Sequence, residues 1–85
     1  MLVLYVDDEP SMLRLVSIWF EEDTEISIVG TTSASKALEL LRTNHFDVMV
    51  SDYQIPGMDG IALVKDMRGR GDMTPFILFT GQGRE

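Results

Sequence analysis

Val48-Met49-Val50-Ser51-Asp52-Tyr53-Gln54-Ile55-Pro56-Gly57-Met58-Asp59-Gly60 decides the fold. An apolar run ends abruptly on a carboxylate, Asp52, and turn-forming residues follow. That pattern reads as a buried strand that presents its last residue at a sheet edge, then a loop, then a helix. A carboxylate at the carboxyl end of a strand stands where open α/β sheets keep their ligand sites. Strand-end aspartates also serve merely as acceptors for loop amides, so the meaning of Asp52 depends on the rest of the chain.

Working outward, Phe46 to Ser51 is the central strand and Asp59 caps the helix that follows. In that helix Ile61, Val64 and Met67 share a face, and Gly69-Arg70-Gly71 stops it. Thr74-Pro75 then precedes Phe76–Thr80, a strand apolar on both faces. Toward the N-terminus, Leu2 to Val6 is a short apolar run bounded by acids, which predicts a fully buried strand. Pro10 suits the first helical position. Met12, Val16, Trp19 and Phe20 recur at helical spacing, predicting a core-packing stripe on a helix that ends near Glu22-Asp23. Ile26–Gly30 interleaves polar with apolar residues, as an edge strand does. Thr31-Thr32-Ser33 offers cap hydroxyls to a helix carrying Ala34, Ala37, Leu38 and Leu41, and Thr43-Asn44-His45 turns the chain. The order is β-α-β-α-β-α-β. It predicts an α/β fold, a doubly wound parallel sheet with right-handed crossovers and helices on both faces.

Composition narrows the function. The 85 residues fit one small domain, with 45% hydrophobic and 25% charged residues as in ordinary globular proteins. The absence of cysteine removes disulfides, thiolate metal sites and a cysteine nucleophile, and suits a reducing, cytoplasmic setting. No apolar run is long enough to span a bilayer. Fourteen acids against seven bases give a net charge of −7, a surface that phosphate backbones repel, so direct nucleic-acid binding is not expected.

Asp7 and Asp8 leave the first predicted strand, Asp52 the third, and Thr80 the fourth. In a parallel sheet these ends lie along one edge and converge on one crevice. Three carboxylates there repel one another unless a cation joins them. Oxygen donors without His or Cys select a hard ion, Mg²⁺ first, then Mn²⁺, then Ca²⁺. Aspartate is also an effective nucleophile toward phosphoryl groups, forming an acyl phosphate. The Thr80 hydroxyl and the Gly81 amide are candidates to hold the phosphoryl oxygens.

With these motifs in place, the chain resembles the receiver domain of two-component response regulators. The elements that carry the likeness are Asp7-Asp8-Glu9-Pro10 after an apolar strand, Phe46-Asp47-Val48-Met49-Val50-Ser51-Asp52, Ile55-Pro56-Gly57-Met58-Asp59-Gly60, and Thr80-Gly81 after another apolar strand. The resemblance implies a flavodoxin-like sheet and a part in phosphorelay signal transduction. Asp52 would accept a phosphoryl group from a histidine kinase or phosphotransfer protein. Asp8 would ligate Mg²⁺ directly and Asp7 through water, with the backbone carbonyl of Gln54 as a further ligand. Thr80 would be the switch hydroxyl, with the Gly81 amide beside it and Pro56-Gly57 shaping the covering loop. An output domain or effector protein would read the switch.

The comparison carries one expected departure. Receiver domains continue through another helix, a fifth strand and a closing helix, which hold the lysine and aromatic switch residue of the family. Lys36 and Lys65 fall on predicted helices and do not substitute. The expectation is therefore a domain over residues 1–85 that is incomplete at its C-terminus, with strand order 2-1-3-4, the fifth strand missing and roughly 35 residues lacking. The strand at 76–80 would then be exposed and prone to self-association. Two alternatives remain open. A haloacid-dehalogenase-like phosphatase also places a nucleophilic aspartate after a strand, but it needs an acid where Gln54 stands. A non-phosphorylated docking module would not need the three acids.

Overall fold

The computed structural model describes residues 1–55 and 58–79. Its elements are β1 (Leu2–Val6), α1 (Pro10–Phe20), β2 (Ser27–Thr31), α2 (Ala34–Thr43), β3 (Val48–Asp52), β4 (Gln54–Ile55), β5 (Met58–Asp59), α3 (Gly60–Gly69) and β6 (Phe76–Phe79). Three parallel pairings, β1 with β2, β1 with β3 and β3 with β6, build a sheet in the order β2-β1-β3-β6.

The strand inventory corrects the sequence reading, which expects four strands in the order 2-1-3-4 with the fifth strand missing. The described residues hold a fifth strand and a sixth. Gln54 pairs with Asp59 and Ile55 with Met58, an antiparallel hairpin separate from the main sheet. Each of its strands supplies only two residues, too few to show alternation, and turn formers lie between them. The stretch therefore reads as plain loop.

Alternation along β1 assigns the layers. Leu4 and Val6 turn to one face, where they pack with Ala37 and Leu38 of α2, Met49 of β3, and Leu63 and Met67 of α3. Val3 and Tyr5 turn to the other, beside Met12 and Val16 of α1. Caps set the helix starts. The Ser33 hydroxyl accepts from Lys36 N at 3.1 Å, and the Asp59 carboxylate from Ala62 N at 2.8 Å. Gly71, at φ +83°, lets the chain turn after α3. In that connection Asp72 accepts from the Thr74 amide at 3.0 Å and hydroxyl at 2.6 Å. Burial alone would raise the Asp72 pKa, but the two Thr74 bonds and the charges of Arg68 and His45 bring it below the usual carboxylate value.

Two helical faces differ from the periodicity. In α3 the buried residues are Gly60, Leu63 and Met67, while Ile61 is exposed. Gly60 contributes to the buried face by letting the helix approach the sheet, a role hydrophobicity does not reveal. In α1 no residue is fully buried, and Trp19 is 67% exposed instead of lying in the core. Beside it an apolar groove of about 420 Å³ runs between α1 and the sheet, lined by Val3, Tyr5, Val48, Val50 and Phe79 among others.

Candidate functional site

The carboxyl ends of β1 and β3 place the acids. Asp7 follows Val6 directly, and its amide donates to the Thr31 carbonyl at 3.1 Å, extending the β1–β2 pairing by one step. Asp52 is the last residue of β3, and the next amide, Tyr53 N, donates to Phe79 O at 2.9 Å. The Ser51 hydroxyl donates to the Asp52 carbonyl at 2.9 Å. Gly60 N donates to Tyr53 O at 2.7 Å, bringing the start of α3 against the end of β3.

Asp7 and Asp52 are buried, at 2% and 5% exposure, and Asp8 is exposed. One ligand oxygen from each of the three lies within 4.8 Å of the others. Both Asp7 oxygens are engaged: Oδ2 accepts from the Tyr5 hydroxyl at 2.8 Å, and Oδ1 from the Glu9 amide at 3.0 Å. Burial pushes the Tyr5 hydroxyl well above the ordinary tyrosine pKa, and its bond to Asp7 and the charges of Asp7 and Asp52 add to the effect. Tyr5 therefore remains protonated and a donor at physiological pH.

A clustered all-oxygen donor set fits a hard divalent cation, and the three acids form a group capable of metal coordination. The structure thus unites Asp7, Asp8 and Asp52. Gln54, expected to lend its backbone carbonyl, opens β4 two residues beyond Asp52. Thr80, Gly81, Pro56 and Gly57 lie outside the described residues. The sequence reading missed Tyr5, which counts there only as part of an apolar run. Its spacing of two from Asp7, which continues the strand direction and so sets both on one face, was the available signal.

A parallel α/β sheet with a carboxylate cluster at its carboxyl edge places a cation-binding donor set where open α/β sheets keep their ligands. The response regulator receiver domain model matches residues 3–85, and the chain belongs to that family. The match runs over nearly the whole chain, and the expectation of a receiver with four strands and no fifth is corrected by the β4–β5 hairpin. That expectation came from counting elements against the family, and it leaves out the β4–β5 hairpin.

The chain is similar to the receiver domain of the Francisella response regulator 1452, with a TM-score of 0.87 and 32% identity, covering 98% of this chain and 68% of that one. Against the chemotaxis response regulator CheY4 of Vibrio cholerae the TM-score is 0.81 and the identity 30%, over 91% of this chain and 65% of that one. It is 34% identical over 83 residues to the response regulator SaeR of Staphylococcus aureus, covering 98% of this chain and 36% of SaeR. It is 35% identical over 79 residues to a protein-glutamate methylesterase/protein-glutamine glutaminase of Nocardioides sp., covering 92% of this chain and 22% of that protein. The chain thus spans little more than a third of the longer relatives, at most. Its family acts in two-component phosphorelay signalling as phosphoacceptors. No helix among the described residues is long and apolar enough to cross a membrane.

Proposed function

We propose that Asp52 accepts a phosphoryl group from the phosphohistidine of a histidine kinase or phosphotransfer protein, and that the acyl phosphate alters contacts with an output domain or effector. The observation that carries this reading is the convergence of Asp7, Asp8 and Asp52 within 4.8 Å at the carboxyl ends of adjacent strands. An Asp52 carboxylate oxygen forms the new bond to phosphorus as the bond to the donor nitrogen breaks. Asp8, Asp52 and the Gln54 carbonyl would hold Mg²⁺ directly and Asp7 through water. The ion, when bound, neutralises charge on the phosphoryl oxygens. The engagement of both Asp7 oxygens by Tyr5 and Glu9 favours the water-mediated role for that residue. The Thr80 hydroxyl and Gly81 amide, which follow β6 in sequence, are the groups we assign to the phosphoryl oxygens.

Thermal unfolding against Mg²⁺ concentration tests the donor set. A cation that binds only the folded chain stabilises it by about 2.7 kcal/mol at 100 times its Kd, a Tm rise of roughly 10–20 °C for a chain of this size. Asp8→Ala should lose most of that rise. An undiminished Mg²⁺ effect in the variant would overturn the ligand assignment.

A further inference from the structure

Tyr5 occupies a place where a strand could equally carry valine or phenylalanine. Its ring lies on the α1 side of the sheet, at the groove lined by Met12, Val16 and Val50, and only 5% of the residue is exposed. A buried phenol needs a partner, and this one donates to Asp7 Oδ2 at 2.8 Å. Period-two alternation puts ring and carboxylate on one face, so the bond follows from the sequence Tyr5-Val6-Asp7 itself.

The arrangement anchors the Asp7 carboxylate at two points, with Glu9 N on Oδ1 and the phenol on Oδ2. One anchor alone leaves the plane of an aspartate carboxylate free to rotate over a broad range. Repulsion from Asp8 and Asp52 would then favour positions turned away from the shared site. The second anchor resists that rotation. The repulsive arrangement is thereby imposed during folding and need not be assembled when the cation arrives.

We propose that Tyr5 is a positioning residue for the cation site, its hydroxyl holding the Asp7 carboxylate in the orientation that supports cation binding. The inference rests on the reading of Asp7 as part of that site and adds a residue to it. Hydrogen-bond partners behind a metal's own ligands commonly contribute 10- to 100-fold in affinity, which sets the expected scale.

Mn²⁺ serves as the probe, its free concentration read by electron paramagnetic resonance in titrations of the 85-residue chain. Tyr5→Phe retains the ring and removes only the hydroxyl. It should raise the Mn²⁺ Kd about ten-fold. In an Asp7→Asn background the same Tyr5→Phe change should have little further effect, because the hydroxyl acts through that carboxylate. A purely structural role would instead give the same loss in both backgrounds, and that result overturns the proposal. If Tyr5→Phe alone folds poorly, the Asp7→Asn background, which relieves local repulsion, still tests the proposal, because a further loss of Mn²⁺ binding on adding Tyr5→Phe there overturns it. Mn²⁺ binding that Asp8→Ala abolishes but Tyr5→Phe leaves within about two-fold, or tightens, overturns the role of Tyr5 alone, since the expected loss is about ten-fold. A wild-type chain that binds no Mn²⁺ overturns the cation reading and the role of Tyr5 together.

Discussion

Gly60 ties the candidate site to the fold at a single atom. A Cβ built there would overlap Leu78 Cδ1 and lie 3.0 Å from the Asp52 carbonyl oxygen. The Leu78 methyl can give way, but the carbonyl belongs to the residue proposed to receive phosphate. Gly60→Ala should therefore destabilise the fold by about 1–3 kcal/mol, read from denaturant unfolding. A change below about 0.5 kcal/mol, the level of an ordinary surface substitution, would show that the contact relaxes freely. At this scale the acids were legible because each ends an apolar run, where a charge is conspicuous. Tyr5 and Gly60 were not, since one contributes through a hydroxyl inside an apolar stretch and the other through an absent side chain.

Among the elements, caps and strand cores were legible from local chemistry. Ser33 and Asp59 cap their helices as their residue types suggest. The burial of a helix face depends on what the rest of the chain brings to it. Trp19 lies at the right spacing for a core residue, yet the sheet beside it is covered only in part, and the ring stays exposed. The β4–β5 hairpin escaped because two-residue strands carry no period. Among the described residues, strand β6 lies at the edge of the sheet, and Ile77 is 54% exposed on it. An uncharged apolar edge is a template for another strand, so the chain is expected to self-associate through Phe76–Phe79. Light scattering coupled to size exclusion should show mass rising with concentration, and Ile77→Lys should suppress the rise. A wild-type chain that stays monomeric at high concentration would contradict this.

Across the whole molecule, the alternation of strands and helices was enough to imply a parallel sheet with one ligand-bearing edge. Parallel connections leave few alternatives once helices separate the strands. That geometry gathers residues as distant as Asp7 and Asp52 into one cluster and gives the family's chemistry its place. Asp52 is the proposed phosphoacceptor, and mass spectrometry after incubation with acetyl phosphate and Mg²⁺ tests that role. A single phosphoryl adduct is expected, stable in acid and labile in base, mapped to Asp52 and absent from Asp52→Asn. An adduct that persists in Asp52→Asn, or that maps to another residue of the wild type, would contradict it.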